Sequence, residues 1–294
     1  MKVAIYSKVF KKEISKDLQF LFDYLYENNV EYVIEDLFYA QCFASGIKAK
    51  NSNTFSTQKD IRNFEPDSFI ILGGDGTILD SIIYMGDKPI PVLGINKGRL
   101  GFLAGESASD IKKSVDNLLK GHFSIDTRSV LQLESSTNIF SNTNYALNDF
   151  VIHKKDSSSM ITIHTYINGE YLNSYWSDGL IISTPTGSTG YSMSCGGPIM
   201  YPGSSSFAIT PIAPHNLNVR PMIISDSNVI SFEIEGRNTS FLVSLDSRSE
   251  TIDQGTQLAV KKAPFNFQLI RFNEDNYLKT LRNKLMWGID NRNS

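Results

Sequence analysis

The hydrophobic period changes once along this chain, and that change limits the fold more than any single motif does. Up to about residue 120, short apolar runs alternate with segments of helical spacing. Residues 3–7 form a strand-like run, Leu18, Leu21, Phe22 and Leu25 recur three and four apart, and residues 32–34 and 69–72 are strand-like again, the latter running into glycine. Residues 77–85 read as the next helix and 92–96 as the next strand, while Ile111, Val115, Leu118 and Leu119 mark an amphipathic helix ending at Gly121. This alternation predicts an open, mostly parallel α/β sheet. The polar stretch 40–60 reads as a mobile surface loop. Beyond Ser124 the helical period is lost. Ile161, Ile163, Thr165 and Ile167 alternate with their neighbours up to Asn168-Gly169, a hairpin signal, and residues 232–235, Gly236 and 241–245 repeat the pattern. A mostly β second domain follows from this. Tyr277, Leu281 and Leu285, spaced by four with Lys279, Arg282 and Lys284 between them, suit a terminal helix.

A chain of 294 residues has ample material for two domains. With 28 Lys+Arg against 31 Asp+Glu the net charge is -3, which offers no electrostatic excess for a phosphate polymer, so nucleic acid is excluded as main partner. No apolar run approaches a membrane span and the start carries Lys8, Lys11 and Lys12 before any signal-type stretch, so a cytoplasmic protein without membrane contact is expected. Cys42 and Cys195 are far apart, and His122, His153, His164 and His215 are scattered; no protein metal cluster is assigned.

Of the 20 glycines, eight lie in residues 73–105 and six in residues 179–203. Glycine serves where a ligand must approach the backbone closely, so two such clusters in different domains point to one ligand cleft built from both, with tight turns as the plainer alternative. The first cluster opens with GGDGT, Gly73 to Thr77, directly after an apolar strand. A strand, a glycine turn and a helix start gather free N–H groups into an anion site. Asp75 repels a phosphate there unless it takes a proton from an attacking hydroxyl or helps to hold a phosphate-bound cation; the alternative is a turn Asp that satisfies local amides. NKGRLGFLA, residues 96–104, follows the next strand, and its Arg99 reads equally as a phosphate contact or a solvated charge. The second cluster is DGLIISTPTGSTGYSMSCGGPI, residues 178–199, in which seven of the twelve residues 183–194 are Ser or Thr, suited to a polyol or phosphate. Ser188 lacks GxSxG spacing, so a hydrolase is not suggested.

Through GGDGT, NKGRLGFLA, ALND (residues 146–149), the 178–199 segment, PHNLNVRP (214–221) and LRNKLMWG near the end, the chain resembles the NAD kinase family over nearly its whole length. The resemblance implies ATP-dependent phosphorylation of the adenosine ribose 2′-hydroxyl of NAD to give NADP, a divalent cation such as Mg2+, and a homo-oligomer, dimer or tetramer. It implies an α/β domain over 1–123, a β-rich dinucleotide-binding domain over 124–270, and a segment 271–294 whose helix packs back on the first domain. By resemblance Asp75 is the proton acceptor, and Gly73, Gly74, Gly76 and Thr77 hold the ATP phosphates. Asp75, Gly76, Asp80, Asn148, Asp149, Asp178, Thr189, Gly190, Tyr191, Ser192, Met193, Ser194 and Arg248 are the expected NAD contacts. The chain departs from the pattern at Asp80, where many members carry a basic residue, at Gly190, where alanine is usual, and at Asp246-Ser247-Arg248, where a DxQ or DGQ turn is usual; Arg248 is read either as a phosphate fork or as half of a surface ion pair. The alternatives are a lipid kinase of the diacylglycerol or sphingosine type, which shares GGDGT, and a non-catalytic NAD(P) sensor.

Overall fold

Apolar runs each one strand long, separated by amphipathic helices, bury both of their faces only in a parallel sheet. The computed structural model describes residues 1–96, 98, 101–107, 110–141, 143–155, 159–272 and 277–287. Its first strands are β1 (Lys2–Tyr6), β2 (Glu31–Glu35), β3 (Asn53–Phe55), β4 (Ser68–Leu72), β5 (Val92–Asn96) and β6 (Glu106–Ser107). All pair in parallel, in the order β5-β4-β1-β2-β3 with β6 beside β5. The order reverses between β1 and β4, and ligands of open α/β sheets bind at the carboxyl ends of the strands beside such a reversal.

α1 (Ser15–Glu27) presents Leu18, Leu21, Phe22 and Leu25 to the sheet, where they join Val3, Ile5, Ile34, Ile70 and Leu93 in one core. α2 (Asp36–Ala44) and α3 (Gln58–Phe64) follow β2 and β3, and α3 starts on a capping box between Thr57 and Asp60. Two sequence expectations change here. The stretch 40–60 contains β3, and Ile47 and Phe55 are 4% and 2% exposed among polar neighbours, so two anchors turn a presumed loop into a sheet edge. The helix expected over 77–85 is two, α4 (Asp75–Asp80) and α5 (Ile82–Met85). Between them the buried Ser81 hydroxyl donates to the carbonyl of Ile78 at 2.6 Å, offering the backbone an alternative to continuing the helix. α6 (Ile111–Leu119) ends before Gly121 at φ 69°, as expected for a left-handed helix stop.

The remaining strands are β7 (Ser124–Ser135), β8 (Tyr145–Ala146), β9 (Asp149–Lys154), β10 (Ile161–Ile167), β11 (Glu170–Ser177), β12 (Gly179–Ser183), β13 (Ser206–Ile212), β14 (Met222–Ser225), β15 (Ile230–Glu235), β16 (Ser240–Leu245), β17 (Arg248–Asp253) and β18 (Leu258–Arg271). Apart from β7, which pairs with β8 and β18, and from β8 itself, they form antiparallel runs in the orders β11-β10-β15-β18 and β14-β13-β12-β9-β16-β17. Ile163, Phe232 and Val260 from the first run meet Phe150, Leu180, Phe207 and Phe241 from the second in one core. The β10–β11 hairpin turns at Asn168 and Gly169, both at positive φ. The second expected hairpin does not form: β15 pairs with β10 and β18, whereas β16 pairs with β9 and β17. Four residues, 236–239, let the chain change sheets, and alternation alone cannot report which neighbour a strand takes. α7 (Tyr191–Ser194) is a single turn, and α8 (Tyr277–Leu285) buries Leu281.

By contacts the chain divides into two units, Met1–Met85 with Pro89–Asp126 and Gln268–Ser294, and Gly86–Lys88 with Thr127–Phe267. Among the described residues, no helix is long and apolar enough to cross a membrane.

Candidate active site

All five residues of β4 are buried, so the chain leaves the sheet abruptly at Gly73. The Gly73 N–H donates to the carbonyl of Ile95 at 2.9 Å, and a Cβ on Gly73 would lie 2.3 Å from Thr77 Oγ1, so glycine is required for the turn to close on itself. Around Gly76 the reverse holds: apart from its chain neighbours and its own helix backbone, no protein atom lies within 4 Å of where its Cβ would be, and its exposed backbone is open to a ligand.

Asp75, the first residue of α4, points into the next loop. Its Oδ2 accepts from the N–H of Phe102 at 2.8 Å, and its Oδ1 from those of Leu103 and Ala104 at 3.0 Å each. Three successive amides in a turn closed by the Gly101 N–H and the Ala104 carbonyl make an anion nest, and here the anion is Asp75. A Cβ on Gly101 would come within 1.8 Å of Oδ1. The amides that Asp75 satisfies thus belong to NKGRLGFLA, not to its own turn. Arg99 lies outside the described residues.

At the carboxyl ends of β1, β4 and β5 lies a cavity of about 160 Å3, whose walls include Ser7, Lys8, Lys11, Gly74, Thr77 and Asn96. The Ser7 hydroxyl ties the two strand ends together by donating to the carbonyl of Leu72 at 2.6 Å. Lys8 Nζ lies 2.8 Å from Asp80 Oδ2. Asp80, the departure from the family pattern, is therefore occupied by a lysine of the β1 loop, and that lysine lines the cavity.

In the other unit the ALND backbone is held from below by a hairpin turn. β16 and β17 are joined through Asp246 and Ser247, and Asp246, at φ 53°, accepts from the N–H groups of Leu147, Asn148 and Asp149 at 2.9, 2.7 and 3.2 Å. The 184–190 turn packs on the same residues. Thr184 N–H donates to the carbonyl of Asn148 at 2.9 Å, Thr184 Oγ1 to that of Leu147 at 2.5 Å, and a Cβ on Gly187 would lie 2.2 Å from the Asn148 oxygen. Asn148 and Gly190 are thereby brought together, a Cβ on Gly190 lying 3.8 Å from Asn148 Nδ2. Burial, with the neighbouring Asp246 as a second cause, pushes the Asp149 carboxyl up to about 7. Burial also raises Asp246, to about 6, against the three amides and Arg248, which pull it down.

Other candidates have partners within the protein. Asp178 Oδ1 lies 2.5 Å from Lys154 Nζ. Ser192 is buried, its hydroxyl 2.9 Å from that of Thr210, whereas Tyr191 and Ser194 on the same turn are exposed and Met193 is half-buried. The Ser188 hydroxyl is buried and donates to the carbonyl of Pro185 at 2.7 Å. Arg248 caps the carbonyls of Thr143 and Tyr145 and lies 5.7 Å from the centre of the Phe140 ring, a backbone-capping geometry that neither reading of the sequence included. Sequence reasoning also passed over Gly101, Arg271 and the buried Arg128, whose Nη1 donates to Thr186 Oγ1 at 3.3 Å. Only Gly101 carried a signal, as one of the clustered glycines.

The ATP-NAD kinase N-terminal domain profile matches residues 5–123 and the ATP-NAD kinase C-terminal domain profile residues 147–272. NAD kinases of Cytophaga hutchinsonii and Flavobacterium psychrophilum are 48% and 46% identical, the first over 99% of both chains and the second over 100% of both. Among solved structures, yeast NADH kinase complexed with NADH superposes with a TM-score of 0.90 at 23% identity, covering 100% of this chain and 89% of that one. An Archaeoglobus fulgidus NAD kinase in complex with ATP gives 0.72 at 22%, covering 97% and 99%. The two-unit fold is that of these enzymes, and with matches that run the length of the chain it belongs to the NAD kinase family of phosphotransferases.

Proposed function

We propose that this protein transfers the γ-phosphoryl group of ATP to the 2′-hydroxyl of the adenosine ribose of NAD, giving NADP and ADP. One observation carries the chemistry: a carboxylate fixed by three amides, beside a glycine backbone open to a ligand, at the switch point of a parallel sheet. A carboxylate has about four lone-pair positions, and three are used here, which leaves one for a substrate hydroxyl. In the reaction the 2′-oxygen bonds to the γ-phosphorus, the bond from that phosphorus to the β–γ bridging oxygen breaks, ADP leaves, and Asp75 takes the hydroxyl proton. A loose phosphoryl transition state asks mainly for alignment, so holding Asp75 still matters more than making it strongly basic.

In this reading the ATP phosphates meet Gly73, Gly74, Gly76 and Thr77, with Lys11 supplying positive charge from the cavity wall, where Lys8 is paired with Asp80. NAD meets Asn148, Asp149, Asp178 and the exposed residues of 189–194, and Arg248 contributes by fixing the loop before ALND. Among the described residues no group of three or more His, Cys, Asp or Glu could hold a metal, so a divalent cation would be one carried by the ATP phosphates, and no protein ligand is assigned to it. Such a cation would supply charge neutralisation at the γ-phosphate. The same reading includes a homo-oligomer, as the resemblance implies, and the cytoplasmic location expected from the sequence. Incubation with ATP, Mg2+ and NAD, followed by mass spectrometry, is expected to show one phosphate on the adenosine half of NAD. An analogue lacking only that 2′-hydroxyl binds and gains none; phosphate on the analogue, or on the nicotinamide ribose, refutes the assignment.

A further inference from the structure

The turn that grips Asp75 is itself gripped from the other side. Arg271, at the end of β18, donates from Nη2 to the carbonyl of Phe102 at 2.9 Å and from Nη1 to that of Leu103 at 3.1 Å. The carbonyl of Phe102 and the N–H of Leu103 belong to one planar peptide unit, and the carbonyl of Leu103 and the N–H of Ala104 to the next. Each unit therefore has a guanidinium N–H at its oxygen and Asp75 Oδ1 at its hydrogen. Arg271 is oriented in turn by Asp126, whose Oδ2 lies 3.3 Å from Nε, and both side chains are largely withdrawn from solvent. A planar fork reaches two adjacent carbonyls at once, which a lysine ammonium cannot match. Polarising a peptide at its oxygen strengthens its N–H as a donor.

We infer that Arg271 is a positioning residue for Asp75, acting through the Phe102–Leu103 and Leu103–Ala104 peptides. It holds Oδ1, which accepts from two amides, and leaves Oδ2, which accepts from Phe102 alone among the described residues, as the oxygen that receives the hydroxyl proton. This rests on Asp75 being the proton acceptor.

The test uses the full chain with Arg271→Met, Arg271→Lys, Asp126→Asn, Asp75→Asn and the double variant Asp75→Asn/Arg271→Met, each checked for folding by thermal melting. Arg271→Met is expected to lower kcat roughly 10- to 100-fold with KM for NAD and ATP within about twofold, the pattern of a misaligned reacting group. Arg271→Lys falls between it and the parent. In the Asp75→Asn background, loss of Arg271 costs nothing more, because the residue it positions is already gone. An unchanged kcat in Arg271→Met, or losses that multiply in the double variant, overturns the inference. Should Arg271→Met fail to fold, Asp126→Asn, which only releases the guanidinium, carries the same expectation and the same refutation in kcat. Normal turnover in Asp75→Asn instead refutes the proton-acceptor reading, a separate outcome.

Discussion

Gly101 shows why the central feature of this site is illegible in sequence. GGDGT announces itself, but the groups that hold its aspartate lie 27 to 29 residues further on, and no local pattern links a carboxylate to backbone amides. Gly101→Ala would set a methyl 1.8 Å from Oδ1, so Asp75 must leave the nest. We expect kcat to fall by roughly 100-fold, as for a displaced reacting group, and stability by about 1–3 kcal/mol for the amides left unpaired. Parent-like turnover and melting would remove the nest from the mechanism. Asp149 gives a pH effect of opposite sign to the usual carboxylate. Its folded value, about 7, lies above the ordinary one near 4. Between those values the folded form holds a proton that the unfolded chain has released, so stability falls as pH rises from about 4 to 7 and then levels off. Asp246 acts in the same direction up to about 6. Asp149→Asn is therefore expected to flatten the decline in Tm from pH 5 to pH 8; an equal decline in parent and variant counts against a raised Asp149.

At the scale of elements, period and punctuation went far. α1, α6, α8, β4, β5 and the β10–β11 hairpin stand where the apolar spacing put them, because each buries one face or turns on residues that tolerate positive φ. Local pattern failed where a tertiary partner decided: at β3, anchored by Phe55; at the break on Ser81; and at β16, which takes β17 as its hairpin mate. The β16–β17 hairpin bears on the proposed NAD site because its turn residue Asp246 clamps the ALND backbone. Glycines within elements also divide by what surrounds them. Gly187→Ala drives a methyl to 2.2 Å from a backbone oxygen, which cannot swing away as a side chain can, and is expected to cost about 1–3 kcal/mol and raise KM for NAD. Gly76→Ala meets nothing and gains helix propensity of up to about 1 kcal/mol, so its Tm holds or rises while KM for ATP increases. An unaltered KM for ATP in that variant would mean that no phosphate approaches this backbone.

At the scale of the molecule, motifs scattered from residue 73 to the last helix were enough to indicate the family, yet linear order hides how the chain closes its first unit. That unit is finished by residues from the far end: Leu269 pairs with Val92 of β5, Leu269 and Ile270 are 1% and 3% exposed, and Arg271 braces the turn that holds Asp75. Burying two such side chains contributes on the order of 3–6 kcal/mol, a large part of the 5–15 kcal/mol typical of a whole domain. The other unit's share of β18 ends at Phe267. A chain truncated after Phe267 is therefore expected to split in its behaviour. Calorimetry should show the antiparallel unit still unfolding cooperatively and the parallel unit melting far lower or without a transition, with phosphoryl transfer abolished. Resistance to limited proteolysis should be kept over 127–267 and lost over 1–126. If the truncated chain instead melts like the parent in both units, the terminal segment is an appendage, and the stability of the Asp75 turn must come from the first 126 residues alone.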